Sequence, residues 1–467
     1  MNPFLNPINT FTFIKNIYFD TNRLFNLNYE ELKKYQDKAI RKVVKYAYTV
    51  PLYHKKYKKE GIHPSDIKKI EDIRKLPFIT KDDIRKGYPD EIIPVGANRK
   101  KEYMVCTGGT TGKPIRLFTD FKLMSKNFAL VLRDMKILGL DLRNIKITHL
   151  GNFSTNRYDL VTENHFNKYL KKFTRKNISL NIDVNTPIKE ILKKLDDFQP
   201  DIISSYPAIY QHLANLKRKG NAKKLSPKIC IVGGAILDNY TKSYVEDSFG
   251  CRMSNFYSSV EASGGIGIEC LKNTWHIHSD YYYLEAIDEN FNVLPPDKRG
   301  HIVLTRLFVG GTPIIRYIGM DDWIKISPHT DCDCGLKTSV IKKLEGRKRA
   351  NIILPNGKVF PPGAFCFISP VLHKLNTFKV KQYQIIQNKI NEIEILIVID
   401  EELKNKPPSF KTIAENIRKV YEEKCGPNVN INVREVDEIV NKKNKRKPAP
   451  IVVSHIDSNK EFEKLNK

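Results

Sequence analysis

The sequence predicts an α/β fold in two parts, a large N-terminal domain of α/β subdomains and a small α+β domain at the C-terminal end. Up to about residue 340, short apolar strands alternate with helical segments, which is typical of an α/β sheet. After residue 345 the pattern changes to paired strands and one long helix. With 467 residues, the chain is also too long for one compact unit. We therefore divide it into residues 1–345 and 346–467.

The N-terminal domain is predicted to begin with helices and turns. The stretch "YEELKKYQDKAIRKVVKYAYTVPLYHKKYKK" has helical apolar spacing that ends near Pro51, and Thr80 is placed to cap a short helix. Farther along the chain, the predicted strands are "NIKITHLG", "DIISSY", "KICIVGG" and "GHIVLTRL". The helical segments among them include "NTPIKEILKKLDDF" and "PAIYQHLANLKRK".

The C-terminal domain is predicted from three segments. Two strands flank an Asn-Lys turn in "FKVKQYQIIQNKINEIEILIVID". An amphipathic helix, "FKTIAENIRKVYEEKCG", ends at Gly426, and "NVNINVREV" supplies a further strand. The basic run "NKKNKRK" follows this strand.

Composition restricts the possible classes of function. The 79 Lys and Arg residues exceed the 52 Asp and Glu residues by 27, but the excess is spread along the chain, which favours a compositional bias over a nucleic-acid partner. No aromatic residues interleave with the basic run, as a single-strand binding surface would require. The N-terminal stretch lacks the features of a signal peptide, and no apolar run is long enough to span a membrane. We expect a soluble cytoplasmic protein of unassigned oligomeric state.

The stretch "CTGGTTGKP" is the strongest local motif. It is not a Walker A loop, because Pro114 follows the lysine and Thr107 occupies the position that requires the first glycine. Glycines nevertheless allow close backbone approach, hydroxyls donate further hydrogen bonds, and a lysine adds charge. The segment therefore predicts a phosphate site formed by Thr107, Gly108, Gly109, Thr110, Thr111, Gly112 and Lys113.

Further motifs follow the loop in a defined order: "VGGA", "FYSSVEASGG", "GTPIIRYIGMDD" and "LEGRKRANIILPNGKVFPP". Together with the loop, they resemble the adenylate-forming superfamily of acyl-CoA synthetases over about residues 35–455. The segments "VVKYAYTVPLYHKKYKKEGI", "KLPFITKDDIR", "IECLKNTWHIHSDYYYLE" and "CDCG" are similar to the phenylacetate-CoA ligase branch. The segment "ILPNGKVFPP" is closer to capsular-polysaccharide-associated members of that branch.

The resemblance implies an acyl-CoA synthetase-like fold, in which a mobile C-terminal lid domain swings on a hinge. It implies that a carboxylate reacts with ATP to give an acyl-adenylate and pyrophosphate, commonly followed by thioester formation with coenzyme A. The organic acid would lie partly against "GNFSTNRYD" and "SSYPAIY", whose aromatic residues suit an aromatic acid but also suit a core. Two alternatives stay open: transfer of AMP to a cofactor hydroxyl, and a nucleotide-binding protein without catalysis.

The resemblance also implies the nucleotide contacts. The loop from Thr107 to Lys113 would hold the β- and γ-phosphates, and Glu261 would coordinate Mg²⁺. The adenine pocket and neighbouring cofactor contacts would come from Gly233, Gly234, Tyr257, Ser258 and Arg316. Ala235 replaces the acid often found after the paired glycines.

The ribose and catalytic positions contain departures from the family pattern. Asp321 would accept the ribose hydroxyls, although Met320 precedes it and Asp322 competes for the role. Arg347 would contact the nucleotide just past the hinge, where the expected acidic residues are absent. Among the basic residues of 442–447, Lys447 fits the catalytic lysine best.

A zinc site is predicted from four residues. Cys270 and His276 are separated by five residues and precede the Cys332-Asp333-Cys334-Gly335 pair, which together give a Cys₃His ligand set. His278 is an alternative to His276. The competing interpretation is a buried thiol and a hydrogen-bonded core histidine. The eight cysteines form no disulfide framework, and the related ligases carry the same four residues at similar places, which favours metal.

Overall fold

The computed structural model describes residues 3–107, 114–141, 145–151, 179–184, 186–320, 322–328, 332–347, 350–440 and 449–456. Predicted site residues outside these ranges are Gly108, Gly109, Thr110, Thr111, Gly112, Lys113, Asp321 and Lys447. Within the described ranges, no helix has the length and apolar character needed to cross a membrane.

Helices dominate the first part of the chain, as predicted. They are α1 (Pro7–Lys15), α2 (Thr21–Asn26), α3 (Tyr29–Tyr48), α4 (Pro51–Lys59), α5 (Lys81–Gly87) and α6 (Phe121–Ile137). Helix α3 begins with a capping box in which Asn28 and Glu31 satisfy each other's backbone amides. Thr80 and Asp83 form the same arrangement at α5, which confirms the predicted cap.

Shorter helical turns and a hairpin complete this region. The turns are Pro3–Leu5, Pro64–Asp66, Ile70–Lys75, Arg99–Lys101 and a π-helical turn, Asn16–Asp20. Strands β1 (Tyr103–Cys106) and β2 (Arg116–Thr119) pair antiparallel on either side of the glycine loop. The hairpin therefore fixes where the loop begins and ends.

In the described part of the chain, the largest sheet has eleven strands. Its strands are β3 (Ile147–Gly151), β4 (Ser179–Asp183), β5 (Ile202–Ser205), β6 (Ile229–Gly233), β7 (Arg252–Ser259), β8 (Gly264–Glu269), β9 (Trp275–Ile277), β10 (Tyr282–Ile287), β11 (Arg299–Arg306), β12 (Asp322–Ser327) and β13 (Val340–Arg347). Their spatial order is β4-β3-β5-β6-β7-β8-β9-β13-β12-β11-β10.

The two halves of this sheet differ in strand direction. Strands β4 to β7 in that order are parallel, whereas every pair from β7 to β10 is antiparallel. The parallel half is connected by α7 (Ile188–Phe198), α8 (Pro207–Arg218) and α9 (Asn239–Phe249). The prediction of helices alternating with strands up to residue 340 is wrong for the antiparallel half. Antiparallel neighbours need only short turns, so no crossover helix separates them among the described residues.

The C-terminal unit contains the predicted strands and helix. Its strands are β16 (Val380–Lys389), β17 (Glu392–Ile399), β18 (Asn430–Glu435) and β19 (Val452–Ser454), in the order β18-β17-β16-β19. Ahead of them lies the small pair β14 (Ile352–Ile353) and β15 (Val359–Phe360). The helices are α10 (Ile368–Lys374), α11 (Phe410–Cys425) and the turns Pro362–Ala364 and Glu401–Leu403. Helix α11 begins at the Ser409 cap and ends at Gly426, as predicted.

The C-terminal unit packs on the parallel half of the large sheet. The Tyr240 hydroxyl of α9 donates a hydrogen bond to the Val380 carbonyl at 2.8 Å, and Asn215 of α8 bonds to Asp400. Buried apolar residues of both parts form one continuous cluster. Strand β13 extends to Arg347, so the large sheet continues through residue 345, and the domain boundary there stays a prediction.

Candidate active site and metal centre

The carboxyl ends of β5, β6 and β7 lie at the same edge of the sheet. Open α/β sheets bind ligands at this edge, because successive loops diverge there and leave a crevice. Gly233 is the last residue of β6, and Gly234 follows with a φ of +73°. A Cβ at Gly234 would lie 2.7 Å from Cε1 of Tyr206, the residue after β5. Glycine at 234 therefore lets an aromatic ring lie against this turn.

The end of β13 meets the loop that follows β6. Gly346 has a φ of +84°, and a Cβ there would lie 2.6 Å from Cδ1 of Ile236. The pairing of β12 with β13 places Arg347 opposite Asp322. Arg347, which was predicted to lie just past the hinge, is thus at the end of β13 that meets the loop after β6. That loop contains Gly234 of the predicted adenine pocket.

Tyr257 connects these elements. It is buried in β7, and its hydroxyl donates a hydrogen bond to Oδ2 of Asp322 at 2.8 Å. Ser258, the next residue, is exposed. The hydrogen bond from Tyr257 holds Asp322 at the sheet edge, beside the predicted adenine pocket. The alternative assignment of Asp322 to the ribose requires such a position, whereas Asp321 lies outside the described residues.

Glu261 lies in the turn after β7 and is buried. The hydroxyl of Tyr317 donates to Oε1 of Glu261 at 3.3 Å. Tyr317 is held in turn by two backbone hydrogen bonds with Leu304, at 2.9 and 3.0 Å. A carboxylate oriented in this way is a suitable hard oxygen ligand for Mg²⁺. The sequence motif identified Glu261 but not its partner Tyr317.

Thr107 closes the base of the glycine loop. Its amide donates to the Ile115 carbonyl at 3.1 Å, and its Oγ1 accepts the Ile115 amide at 3.1 Å. The hydroxyl of Thr107 therefore fixes the ends of the loop. The rest of the predicted phosphate cradle, residues 108–113, lies outside the described residues.

Arg306 links the hairpin to the turn that carries Glu261. Its guanidinium donates to Ser263 Oγ at 2.9 Å and to the carbonyls of Gly310 and Thr312. Thr312 Oγ1 accepts the Phe118 amide of β2 at 3.0 Å. Burial lowers the pKa of Arg306. Sequence reasoning missed this residue, although a charged side chain at the end of the apolar run "IVLTR" was a clue.

Arg316 has several protein partners. Its guanidinium donates to both carboxylate oxygens of Glu285 at 3.2 Å and to the carbonyls of Arg74 and Leu76 at 3.1 and 2.7 Å. These bonds hold the backbone of Tyr317, the next residue, against the 74–76 segment. The partners give Arg316 a positioning role next to Glu261, and its predicted contact with the cofactor stays a prediction.

The predicted acid-binding segments divide into two groups. Tyr206 stands at the sheet edge, as a pocket residue would. Tyr210 is fully buried, and its hydroxyl donates to the carbonyls of Ile203 and Ile231 at 2.6 and 3.0 Å, so it is a core residue. Apart from Gly151, the segment "GNFSTNRYD" lies outside the described residues.

The four predicted zinc ligands lie together, with all ligand atoms within 4.8 Å of one another. Sγ of Cys270 is 3.7 Å from Sγ of Cys332, and Sγ of Cys334 is 3.1 Å from Nε2 of His276. Tetrahedral zinc with Zn–S bonds of about 2.3 Å requires sulfur atoms about 3.8 Å apart. The donor set and its spacing therefore fit Zn²⁺.

A second layer of contacts orients His276. Nδ1 lies 2.9 Å from Thr338 Oγ1, and the Thr338 hydroxyl donates to the Ser339 carbonyl at 3.1 Å. The threonine oxygen is thus left to accept the Nδ1 proton, and the Nε2 lone pair faces the thiols. His278 is not in the cluster, because its Nε2 lies 2.9 Å from Oδ1 of Asp134.

The electrostatics of the cluster favour a thiolate. A hydrogen bond from Cys334 lowers the pKa of Cys270 to about 3. The same interaction raises the pKa of Cys334. The competing interpretation predicted a buried thiol and a hydrogen-bonded core histidine, and Cys270 and His276 are indeed buried. Zinc binding by the cluster therefore stays a prediction.

Comparisons with known proteins support the same architecture. Residues 366–447 match the model of the CapK C-terminal domain. The chain is 25% identical over 404 residues to a phenylacetate-coenzyme A ligase of Thermus thermophilus, covering 83% of this chain and 84% of that protein. It is also 25% identical over 341 residues to the enzyme of that name in Escherichia coli, covering 71% and 75%. With protein CapK of Staphylococcus aureus it shares 25% identity over 281 residues, covering 60% and 59%.

Among solved structures, 2-hydroxyisobutyryl-CoA ligase in the postadenylation state aligns with a TM-score of 0.75 at 18% identity, covering 95% of this chain and 93% of that chain. This agreement confirms the predicted acyl-CoA synthetase-like fold. The sequence relatives confirm the predicted resemblance to phenylacetate-CoA ligases, and protein CapK and the CapK C-terminal domain are further matches.

Proposed function

We propose that this protein is an ATP-dependent, AMP-forming ligase that activates an organic carboxylate as an acyl-adenylate and transfers the acyl group to coenzyme A. The observation that carries the proposal is the meeting of Tyr257, Asp322, Gly234 and the end of β13 at the carboxyl edge of the sheet. Glu261 lies in the turn that follows directly. The relatives named phenylacetate-coenzyme A ligases support this reaction class.

The nucleotide would occupy this edge in an extended orientation. Adenine would lie by Gly233, Gly234 and Tyr257, and its ribose hydroxyls would bond to Asp322 or Asp321. The triphosphate would extend to the loop whose base Thr107 fixes. Arg306, which bonds the turn at Ser263 and the 310–312 segment beside β2, would hold the phosphate and magnesium regions at a constant separation.

Two anions must meet in the adenylation step, since the substrate carboxylate attacks the α-phosphorus of ATP. Oriented donors and cations must therefore offset their repulsion. Glu261 would hold Mg²⁺, which supplies charge neutralisation on the phosphates when bound. Lys113 and Lys447 would add positive charge, with Lys447 carried to the α-phosphate by the C-terminal domain.

The second half-reaction replaces AMP by the thiol of coenzyme A. Adenylation makes it feasible, because AMP is a far better leaving group than a carboxylate oxygen. Arg347, close to the adenine loop and at the start of the C-terminal segment, would contact the nucleotide. We propose an aromatic acid as substrate because Tyr206 stands at the edge of the site, and we place the reaction in the cytoplasm, where ATP and coenzyme A are available.

We further propose that Cys270, His276, Cys332 and Cys334 hold a structural zinc ion. Four protein ligands close the coordination shell and leave no position for substrate, in contrast to a catalytic zinc site. The ion would join the β8–β9 turn to the segment before β13, where Thr338 orients His276. Metal analysis of the purified protein should give about one zinc per chain.

Product analysis tests the reaction. The protein is incubated with ATP, Mg²⁺, coenzyme A and phenylacetate or related acids, and the products are identified by mass spectrometry. We expect AMP and an acyl-CoA thioester to form in equal amounts. Formation of ADP, or of AMP linked to a cofactor hydroxyl, would contradict the proposal.

A further inference from the structure

Helix α1 is fixed to the body of the protein by its inner face. Asn6 caps its first turn by accepting the amides of Ile8 and Asn9 at 2.9 and 3.4 Å. The Phe13 ring lies 5.4 Å from that of Phe128 on α6. In the π-helical turn that follows, Asn16 Nδ2 donates to Ser125 Oγ of α6 at 2.9 Å. These contacts therefore hold α1 in a defined orientation against α6.

The outer face of this segment is apolar and exposed. We call it the N-terminal apolar face, and it consists of Leu5, Ile8, Phe11, Ile14, Tyr18 and Phe19. These side chains are between 56% and 74% exposed. They make up half of the twelve exposed large apolar side chains in the described part of the chain, although they span only fifteen residues. Such a concentration marks an interaction surface, whereas scattered exposed apolar residues do not.

The exposed charges of residues 3–26 and of α6 itself have one sign. In residues 3–26 and in α6, the acidic residues are Asp20 and Asp134, and both are buried. Asp20 pairs with Lys126 at 2.6 Å, and Asp134 pairs with His278 at 2.9 Å. The exposed charged side chains of these segments are Lys15, Lys122 and Lys136. These two segments therefore expose positive charge that their own acidic residues do not neutralise.

We propose that the N-terminal apolar face docks on an anionic membrane surface. Aliphatic and aromatic side chains of the face would insert at the boundary of headgroups and acyl chains, while exposed lysines such as Lys15, in α1 itself, would contact anionic headgroups. The formal net charge of +27 attracts the whole chain to such a surface. A second copy of this chain is a poorer occupant, because it would bring the same lysines together.

The proposal is independent of the ligase reaction. Helix α1 and the π-helical turn contain none of the residues placed in the nucleotide or metal sites. Docking through them would hold the enzyme at a lipid surface without occupying the carboxyl edge of the sheet. Substitutions on this face should therefore leave ATP–pyrophosphate exchange unchanged.

Vesicle sedimentation with the full-length protein tests the docking. The probes are phosphatidylcholine vesicles with and without phosphatidylglycerol. We expect binding to the anionic vesicles that weakens with salt, and little binding to the neutral ones. The triple variant Ile8→Ser, Phe11→Ser, Tyr18→Ser should bind at least roughly tenfold more weakly, because it removes inserted apolar area. Val95→Ser, an exposed apolar residue elsewhere that is 80% exposed, is the matched control and should bind as the parent does.

A charge variant and a solution measurement complete the test. Lys15→Glu with Lys122→Glu should weaken binding to the anionic vesicles while the melting temperature stays unchanged. Failure of the parent protein to bind these vesicles would overturn the proposal. If the triple variant bound the anionic vesicles as tightly as the parent does, binding would depend on charge alone. This result would also overturn the proposal. A lipid-free dimer that the triple variant dissociates would assign the face to a second copy instead.

Discussion

The metal cluster and the carboxyl edge of the sheet are two kinds of site in one molecule. In the cluster, the fold alone brings four donors to within 4.8 Å of one another. At the edge, the described residues are those proposed for the adenine side and for Mg²⁺, namely Gly234, Tyr257 and Glu261. The proposed phosphate loop and catalytic lysine lie outside the described residues. A structural metal site is closed by protein ligands, whereas a catalytic site keeps room that the substrate completes.

The first way to test this contrast is Glu261→Gln, for which we expect the largest effect. The amide keeps the shape of the side chain but loses the charge that we propose holds Mg²⁺. Acid-dependent ATP–pyrophosphate exchange should fall by about 10²- to 10³-fold. Zinc content should be unchanged. Glu60→Gln, at an exposed position, is the control. An equal loss of exchange activity in both variants would show that Glu261 has no specific role in the site.

Lys447→Ala tests the predicted catalytic lysine of the C-terminal domain. If Lys447 reaches the α-phosphate, adenylation should fall by roughly 10²-fold, because a cation at the developing charge is lost. Exchange kinetics of Lys442→Ala, in the same basic run, provide the comparison. A larger loss for Lys442→Ala would move the catalytic role to that residue.

Cys334→Ser perturbs the other site. The variant should lose its zinc and melt on the order of 5 °C lower, since a structural metal contributes directly to folding. Metal analysis and thermal denaturation measure both effects, with Cys366→Ser as a cysteine control outside the cluster. Retention of one zinc per chain with unchanged melting would show that Cys334 is not a ligand.

Tyr257→Phe removes one hydrogen bond between the two sheet halves. Asp322 would lose the hydroxyl that lies 2.8 Å from its Oδ2. We expect the KM for ATP to rise about fivefold, since a bond of this kind is worth about 1 kcal/mol. The turnover number should change less than the KM. An unchanged KM would indicate that Asp322 is positioned by other contacts.

Glu102→Gln gives the smallest effect and concerns the hairpin below the glycine loop. Burial and the neighbouring Asp120 carboxylate raise the pKa of Glu102 to about 7. Oε2 of this side chain is buried with no hydrogen-bond partner in the described structure. Because the folded protein binds the proton more tightly than the unfolded chain, stability should fall as the pH rises from about 4.5 through 7.

The variant lacks this titration. Its melting temperature should exceed that of the parent at pH 8 and approach it at pH 5. Parallel melting temperatures across this range would show that the Glu102 carboxyl titrates normally in the folded state.

Local patterns allowed much of the fold to be predicted from the sequence. The cap at Thr80, the end of α11 at Gly426 and the strands β3, β5 and β6 of the parallel half depend on residues close together in the chain, and all were predicted. The strands β4 and β7 were not named in advance. The sequence also grouped the four residues of the Cys/His cluster, because a Cys-x-Cys pair is rare enough to be informative, and zinc binding by them stays a prediction. The antiparallel half was not separated from the parallel one, since both kinds of strand share a short apolar pattern.

The missed residues act through contacts between distant parts of the chain. Arg306 bonds to Ser263, 43 positions away, and Thr338 orients His276 from 62 positions away. Neither partner can be read from local spacing. In the N-terminal sequence, polar residues interrupt the apolar run. Two of these polar residues stabilise the helical segment, because Asn6 caps α1 and Asn16 donates a hydrogen bond to Ser125.

The central claim is tested most directly by ATP–pyrophosphate exchange with the purified protein, Mg²⁺ and a panel of aromatic, aliphatic and hydroxy acids. We expect exchange that depends on one class of acid and that is about 10²- to 10³-fold slower in Glu261→Gln. Exchange that is independent of any acid, or ATP binding without exchange across the panel, would contradict an acid-activating ligase.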